Sequence, residues 1–274
     1  MRPIGIVSLV PLVAATACAA WPDAAQAGPP AGDAAAGKAR SVACEACHTA
    51  IGEGSPAPHI AGQRESYLAA QLRAFKSGVR KDPFMTAVTA GLSEADIANL
   101  AAYWSARPAG TDATPSEAAA AIKTSHVAFP KDFPRGFVLY LTANDADRHM
   151  VNKYYINAAG YQAARANQPL PDGSVLIVSH ATAKLDPSKR PIAAKDGSWI
   201  VEKLDSYAVM EARAGWGKDI PALLRNDSWN YALFNPDRAP NESNQALCLA
   251  CHKPQAAVSY VFTFQELRAK ADSK

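Results

Sequence analysis

Cys44-Glu45-Ala46-Cys47-His48 and Cys248-Leu249-Ala250-Cys251-His252 repeat one five-residue pattern about two hundred positions apart. The pattern restricts the local fold, because two thiols three residues apart reach one object only from a helical turn. At that spacing they meet the two vinyl groups of a single porphyrin, and the histidine that follows faces its iron as proximal ligand. Half a zinc site or a thiol redox couple also uses Cys-x-x-Cys, but neither needs histidine as the very next residue. Both pairs here have it. The expectation is therefore two covalently bound haem c groups, attached through Cys44, Cys47, Cys248 and Cys251, with His48 and His252 on the irons.

The amino terminus fits that expectation. Arg2 precedes a mostly apolar stretch from Ile4 to Ala20, and Ala25-Gln26-Ala27 forms an A-x-A cleavage signal. Residues 1–27 read as a removed signal peptide, which implies the periplasm. The apolar run contains Pro11 and is shorter than the roughly 20 residues that span a bilayer, so no stable membrane anchor is expected. Cys18 leaves with the signal and the other four cysteines serve haem, which leaves none for a disulfide. An acylated Cys18 is the competing reading, although Ala15-Thr16-Ala17 lacks the usual leading leucine. Hydrophobic residues make up 49% of the chain, enough for two cores. The net charge of +3 and the lack of a basic stripe argue against a nucleic-acid partner.

Residues 106–115 are turn-rich and poor in large apolar side chains, as a linker should be, and 116–124 suggest a short alanine-rich helix. A domain at 28–108, a linker at 109–124 and a second domain at 125–274 follow. In the first, Tyr67, Leu68, Gln71, Leu72 and Phe75 recur at helical spacing. Leu92, Ile97, Leu100, Ala101 and Trp104 do so again after a Ser93-Glu94-Ala95-Asp96 capping signal. Met85 lies between these helices, and its thioether opposite His48 would give six-coordinate iron of raised potential. A lone methionine is otherwise an ordinary core residue. The segment Pro56 to Gln63, with Tyr67-Leu68, Gln71-Leu72, Phe75 to Arg80, Met85 and Leu92 to Tyr103, resembles a class I cytochrome c of the c-four and c-five type. The resemblance implies an all-α fold with His48 and Met85 as axial ligands; His59, on the proline-rich loop, reads as a surface or propionate-side residue rather than a ligand.

The second domain reads as strands in short bursts: 137–141, 154–156, 175–178, 199–201, 207–210 and 231–234, separated by turns at Pro171-Asp172-Gly173 and Lys195-Asp196-Gly197. An α+β domain with a mainly antiparallel sheet is expected, with its haem motif late, on a helix from about Ser243 to Cys251. His149, Tyr154 to Asn157, Leu170 to Val175, Tyr207, Met210-Glu211, Trp229 to Tyr231, the second motif and Val261 to Thr263 resemble the P-four-sixty cytochromes and cytochrome c-prime-beta. That resemblance implies five-coordinate iron bound by His252, with an open distal face. Members that oxidise hydroxylamine join a lysine to the porphyrin, and Val178 holds that position here. His180, two residues on, should face the same side as Val178 and is a candidate sixth ligand or acid-base group, against a hydrogen-bonded strand-end histidine. Glu211 is a candidate distal carboxylate, against an outward-facing residue. Met150, Met210, His126 and His149 are weaker candidates.

Two functions fit. Both haems carry electrons between periplasmic redox partner proteins, with the first as exchange port. Alternatively the second binds or transforms a small nitrogen oxide, nitric oxide or hydroxylamine, as a haem oxidoreductase, and the first moves the electrons. A dihaem peroxidase would pair two helical domains, which the strand-rich second half does not suggest.

Overall fold

The computed structural model describes residues 32–48, 57–109 and 116–273. The proposed signal peptide with Cys18, Pro56 and most of the turn-rich linker lie outside the described residues. None of the described helices is long and apolar enough to cross a membrane.

The first half is helical: α1 (Ala34–Arg40), α2 (Val42–His48), α3 (Glu65–Lys76), α4 (Pro83–Ala90) and α5 (Glu94–Ser105). Each start has a local cause. The Asp33 carboxylate accepts from the Ala35 and Ala36 amides, and Asp82 accepts from Met85 N ahead of Pro83. Ser93 and Asp96 close the expected capping box on α5. α1 crosses α5 at glycines: a Cβ built on Gly37 would lie 2.0 Å from the Asn99 carbonyl oxygen. α6 (Glu117–Lys123), capped by Ser116, is the alanine-rich helix expected between the halves.

Six strands then form one antiparallel sheet in sequence order: β1 (Phe137–Asp145), β2 (Met150–Asn157), β3 (Val175–Ala183), β4 (Val201–Ala212), β5 (Trp229–Phe234) and β6 (Pro240–Asn241). Two expected bursts, at 199–201 and 207–210, belong to the single long β4 and the approach to it. Unanticipated α7 (Ala158–Arg165) follows β2 directly, with Asn157 as its cap. α8 (Gln245–His252), a 3₁₀ turn over Lys253–Val258, and α9 (Phe264–Asp272) complete the chain. The helical region followed by an antiparallel sheet and a late haem-motif helix is the expected fold class.

The packing departs from the expectation of one core per half. One cluster covers one sheet face with Leu176, Met210 and Tyr231 and continues without a break through α8 into Ala46, Leu68 and Trp104 of the first half. The other covers the opposite sheet face, where Phe129 and Phe133 of the incoming segment pack edge-on against Tyr155, Tyr207 and Phe234. The cores therefore divide at the sheet. Ala46, Ala246 and Ala250, each nearly inaccessible, allow the two motif helices to approach closely.

Candidate haem sites

In the first half, Cys44, Cys47, His48 and Met85 line one cavity of about 480 Å³. Its size suits a large prosthetic group. His48 ends α2, and its Nδ1 lies 2.7 Å from the Pro58 carbonyl oxygen, to which it donates. That bond fixes the tautomer and leaves Nε2 for a metal. Burial pushes the imidazole pKa down, against the opposing effect of the Pro58 bond. Met85 is held from both sides of its backbone: its amide donates to Asp82 at 2.8 Å, and its carbonyl accepts from Thr89 Oγ1 at 2.7 Å. Trp104 Nε1 and both ring nitrogens of His59 are buried without a hydrogen-bond partner among the described residues, and both side chains line the cavity. A buried donor without a partner is costly, and a haem carboxylate would accept from the Trp104 indole N–H or from the one ring N–H of a neutral His59.

Glu45, inside the first motif, is buried. Its carboxylate accepts from Ser41 Oγ at 2.9 Å, Tyr103 OH at 2.8 Å and Ser116 N at 3.3 Å, and Arg107 stands 3.7 Å away. Burial pushes its pKa up, but these hydrogen bonds outweigh it and leave the group below its ordinary value. The thiols behave oppositely: burial raises Cys44 to about 12 and Cys248 to about 11. Thiols held protonated are poor thiolate ligands and poor redox couples. No cluster of three or more metal-ligating His, Cys, Asp or Glu residues occurs among the described residues.

The second site repeats the proximal arrangement on an unrelated scaffold. His252 Nδ1 donates to the Tyr260 carbonyl oxygen at 2.7 Å. Ser259 and Tyr260 both take left-handed backbone angles, with φ of 55° and 62°, so that this carbonyl turns back onto the helix end. Such conformations cost on the order of 1 kcal/mol or more each in a non-glycine residue. The His252 ring packs against Tyr231 at 4.7 Å and Phe262 at 4.9 Å. Asn226, fully buried, donates to the Leu249 carbonyl and the Tyr231 hydroxyl, each at 3.0 Å, and so ties α8 to β5.

Tyr231 identifies which sheet face belongs to this site. It pairs across β4 with Met210, and Met210 pairs with Leu176, so Leu176, Val178 and His180 of β3 share the face of His252. Val178 lies between Tyr154 and Ala208 there, all only half-buried, as an apolar wall awaiting a large planar group would be. Exposed Phe262, against the His252 ring, is further apolar surface that such a group would cover. His180 is on this face too, its Nδ1 donating to Asn152 Oδ1 at 2.8 Å, and burial lowers its pKa.

Glu211 does not join them. It pairs with Val175 and Asn230 on the opposite face, is buried, and holds Arg213 at 2.6 Å. Of the two readings of Glu211, a distal carboxylate or a residue facing away, the register gives the second: strand alternation sends it away when its neighbour Met210 faces His252. His126 packs on Trp216 beside Asn230, and His149 packs on Trp199. Met210 is buried in the core, and Met150 begins β2. Sequence reasoning missed Asn226 and Asn244. An N-cap rule finds Asn244 in front of α8, whereas no local signal marks Asn226.

Comparison with known proteins agrees with this division. The family described as Cytochrome c matches residues 34–105, and the family described as Cytochrome P460 matches residues 130–263. The chain is 43% identical over 82 residues to cytochrome c-554(548) of Halomonas halodenitrificans, covering 28% of this chain and 99% of that protein. It is 46% identical over 80 residues to cytochrome c4 of Pseudomonas aeruginosa, 28% of this chain and 39% of that protein. To the thiosulfate dehydrogenase electron acceptor of Thiomonas intermedia it is 39% identical over 106 residues, 37% of this chain and 49% of that protein. The chain thus spans about half or less of the length of the last two. A relative matched over almost its whole length and a helical region built around the same histidine-bearing motif place the chain in the cytochrome c family, with a cytochrome P460 domain joined behind its cytochrome c domain.

Proposed function

We propose that this chain is a periplasmic dihaem c-type cytochrome that passes electrons through a His48/Met85 site to and from redox partner proteins. The observation that carries the reading is the cavity in which Cys44, Cys47, His48 and Met85 meet. Bound haem supplies a reversible one-electron centre there. The chain's own residues do the rest: His48, with Nδ1 engaged by Pro58, presents Nε2, and Met85, anchored through Asp82 and Thr89, presents a thioether. His and Met together raise the potential and leave no open position. A thiosulfate dehydrogenase electron acceptor among the relatives supports an exchange role.

A second reading rests on the face shared by Val178, His180 and His252, where valine stands in the position of the cross-linking lysine. In it the carboxy-terminal haem binds a small nitrogen oxide. Optical and EPR spectra of the ferric and ferrous holoprotein, with and without nitric oxide, test both. A low-spin signal that ignores nitric oxide is the result expected of pure electron transfer. A high-spin component that binds it would reject that function for the second haem. Replacing His180 with alanine raises the high-spin fraction only if His180 is the sixth ligand.

A further inference from the structure

We infer that α8 is a wall common to both haem sites, and that Asn244 is a positioning residue which pins the two motif helices together for direct electron passage within one chain. The inference rests on the two-haem reading above and goes beyond it in naming the route.

Asn244 uses both ends of its amide. Its Oδ1 caps α8 by accepting from Ala246 N at 3.0 Å, and its Nδ2 donates to the Ala46 carbonyl at 2.7 Å. Ala46 stands in the middle of the first motif, so one side chain holds the start of the second motif helix against the first. α8 then presents two sides. Ala246, Leu247 and Ala250 line the first cavity, whereas Cys248, Cys251 and His252 carry the second site. At about 100° per residue the centres of these two sets lie about 150° apart around the helix axis, on nearly opposite faces. A helix with its side chains is about 10–12 Å across, and alanine at two of the three positions facing the first cavity thins this one. Both sites thus abut a single element within one continuous core. Electron tunnelling falls off exponentially with distance, so this shared wall favours α8 over any longer path. With haem bound at both sites, the step would oxidise one ferrous iron and reduce one ferric iron by a single electron, with no atom transferred. A one-electron carrier outside the chain supplies or removes the net charge.

The test uses full-length holoprotein. Haem per chain is measured first, by pyridine haemochrome and by mapping of haem peptides. One haem per chain would overturn the two-haem reading and the inference with it. With two haems, the oxidised protein is given less than one equivalent of a fast chemical reductant, and redistribution between the two optical spectra is followed. The expected redistribution is first-order and independent of protein concentration. In Asn244→Asp, which keeps an oxygen to cap α8 but has no donor for Ala46, it slows at least tenfold while haem content and both spectra stay as in the parent. The mutual relaxation enhancement of the two ferric EPR signals weakens in parallel. A concentration-dependent redistribution in the parent, or an unchanged rate and unchanged relaxation in Asn244→Asp, would overturn the role of α8 and Asn244 and leave the two-haem reading intact.

Discussion

Single side chains in this protein act chiefly by holding other groups in one orientation. His48 and His252 each surrender Nδ1 to a backbone carbonyl, from Pro58 and Tyr260, and so offer the same nitrogen from two unrelated scaffolds. Met85 differs, because its thioether is the only group expected to complete the first site. Met85→Ala should lower the potential of that haem by about 0.1 V or more, within the roughly 0.8 V range that axial ligands command. Potentiometric titration of the variant measures this, and an unchanged potential would remove Met85 as a ligand. Glu45 is the clearest case of a buried charge kept for structure. The hydrogen bonds from Ser41, Tyr103 and Ser116 join α2 to α5 and to the start of α6, and hold its pKa below the ordinary value. A carboxylate with a depressed folded pKa stabilises the fold fully above its unfolded pKa, and that contribution is lost as the pH falls through the folded value. Glu45→Gln should therefore cost about 2 kcal/mol at neutral pH and make the acid side of the stability profile shallower. Denaturant unfolding from pH 7 down to pH 3 checks both signs. A variant as stable as the parent at pH 7 would show the network to be dispensable.

Helices and strands show how far local signals reach. Ser93 to Asp96 announced the start of α5 through its capping box, and the alanine-rich run announced α6, because both signals are complete within a few residues. Alternation also carried a correct consequence: His180 shares a face with Val178, as residues two apart on a strand must. The same rule does not say which face meets the haem, so it leaves Glu211 either as a distal carboxylate or as a residue facing away. Only its cross-strand neighbours Val175 and Asn230 place it with Arg213 on the far side. α7 was missed because it continues directly from β2, with Asn157 serving as both strand end and cap. The crossing of α1 over α5 is equally invisible locally, since Gly37 reads as a weak helix residue until Asn99 is seen behind it. Gly37→Ala places a methyl group 2.0 Å from that backbone oxygen, so the helices must separate. The cost should be about 2–3 kcal/mol, a fall in Tm of roughly 5–10 °C in circular dichroism melts. Unaltered melting would mean that the crossing yields freely.

At the scale of the whole molecule, the linker and the change of fold class suggest two bodies, yet the haem-side core runs from Trp104 and Leu68 through Ala46 to Leu249 and Tyr231. Lifting one half away would expose Leu224, Leu247 and Ala250, which close the first cavity from the second half. It would also break the Asn244 bond to Ala46. Cooperativity follows from shared burial, so with haem at both proposed sites their two spectra and the far-ultraviolet dichroism should report one guanidinium midpoint. Distinct midpoints for the two haem spectra would show that the halves unfold independently. The same geometry governs a truncated chain. Without residues beyond 124 the first site loses the wall that α8 provides, and water gains access to a haem whose potential depends on burial. That fragment, if it retains haem and His48/Met85 spectra, should have a potential below that of the same haem in the full chain. Equal potentials would mean that α8 does not shield the first haem. A lower one would assign to the second half a part in tuning the first, in addition to any chemistry of its own.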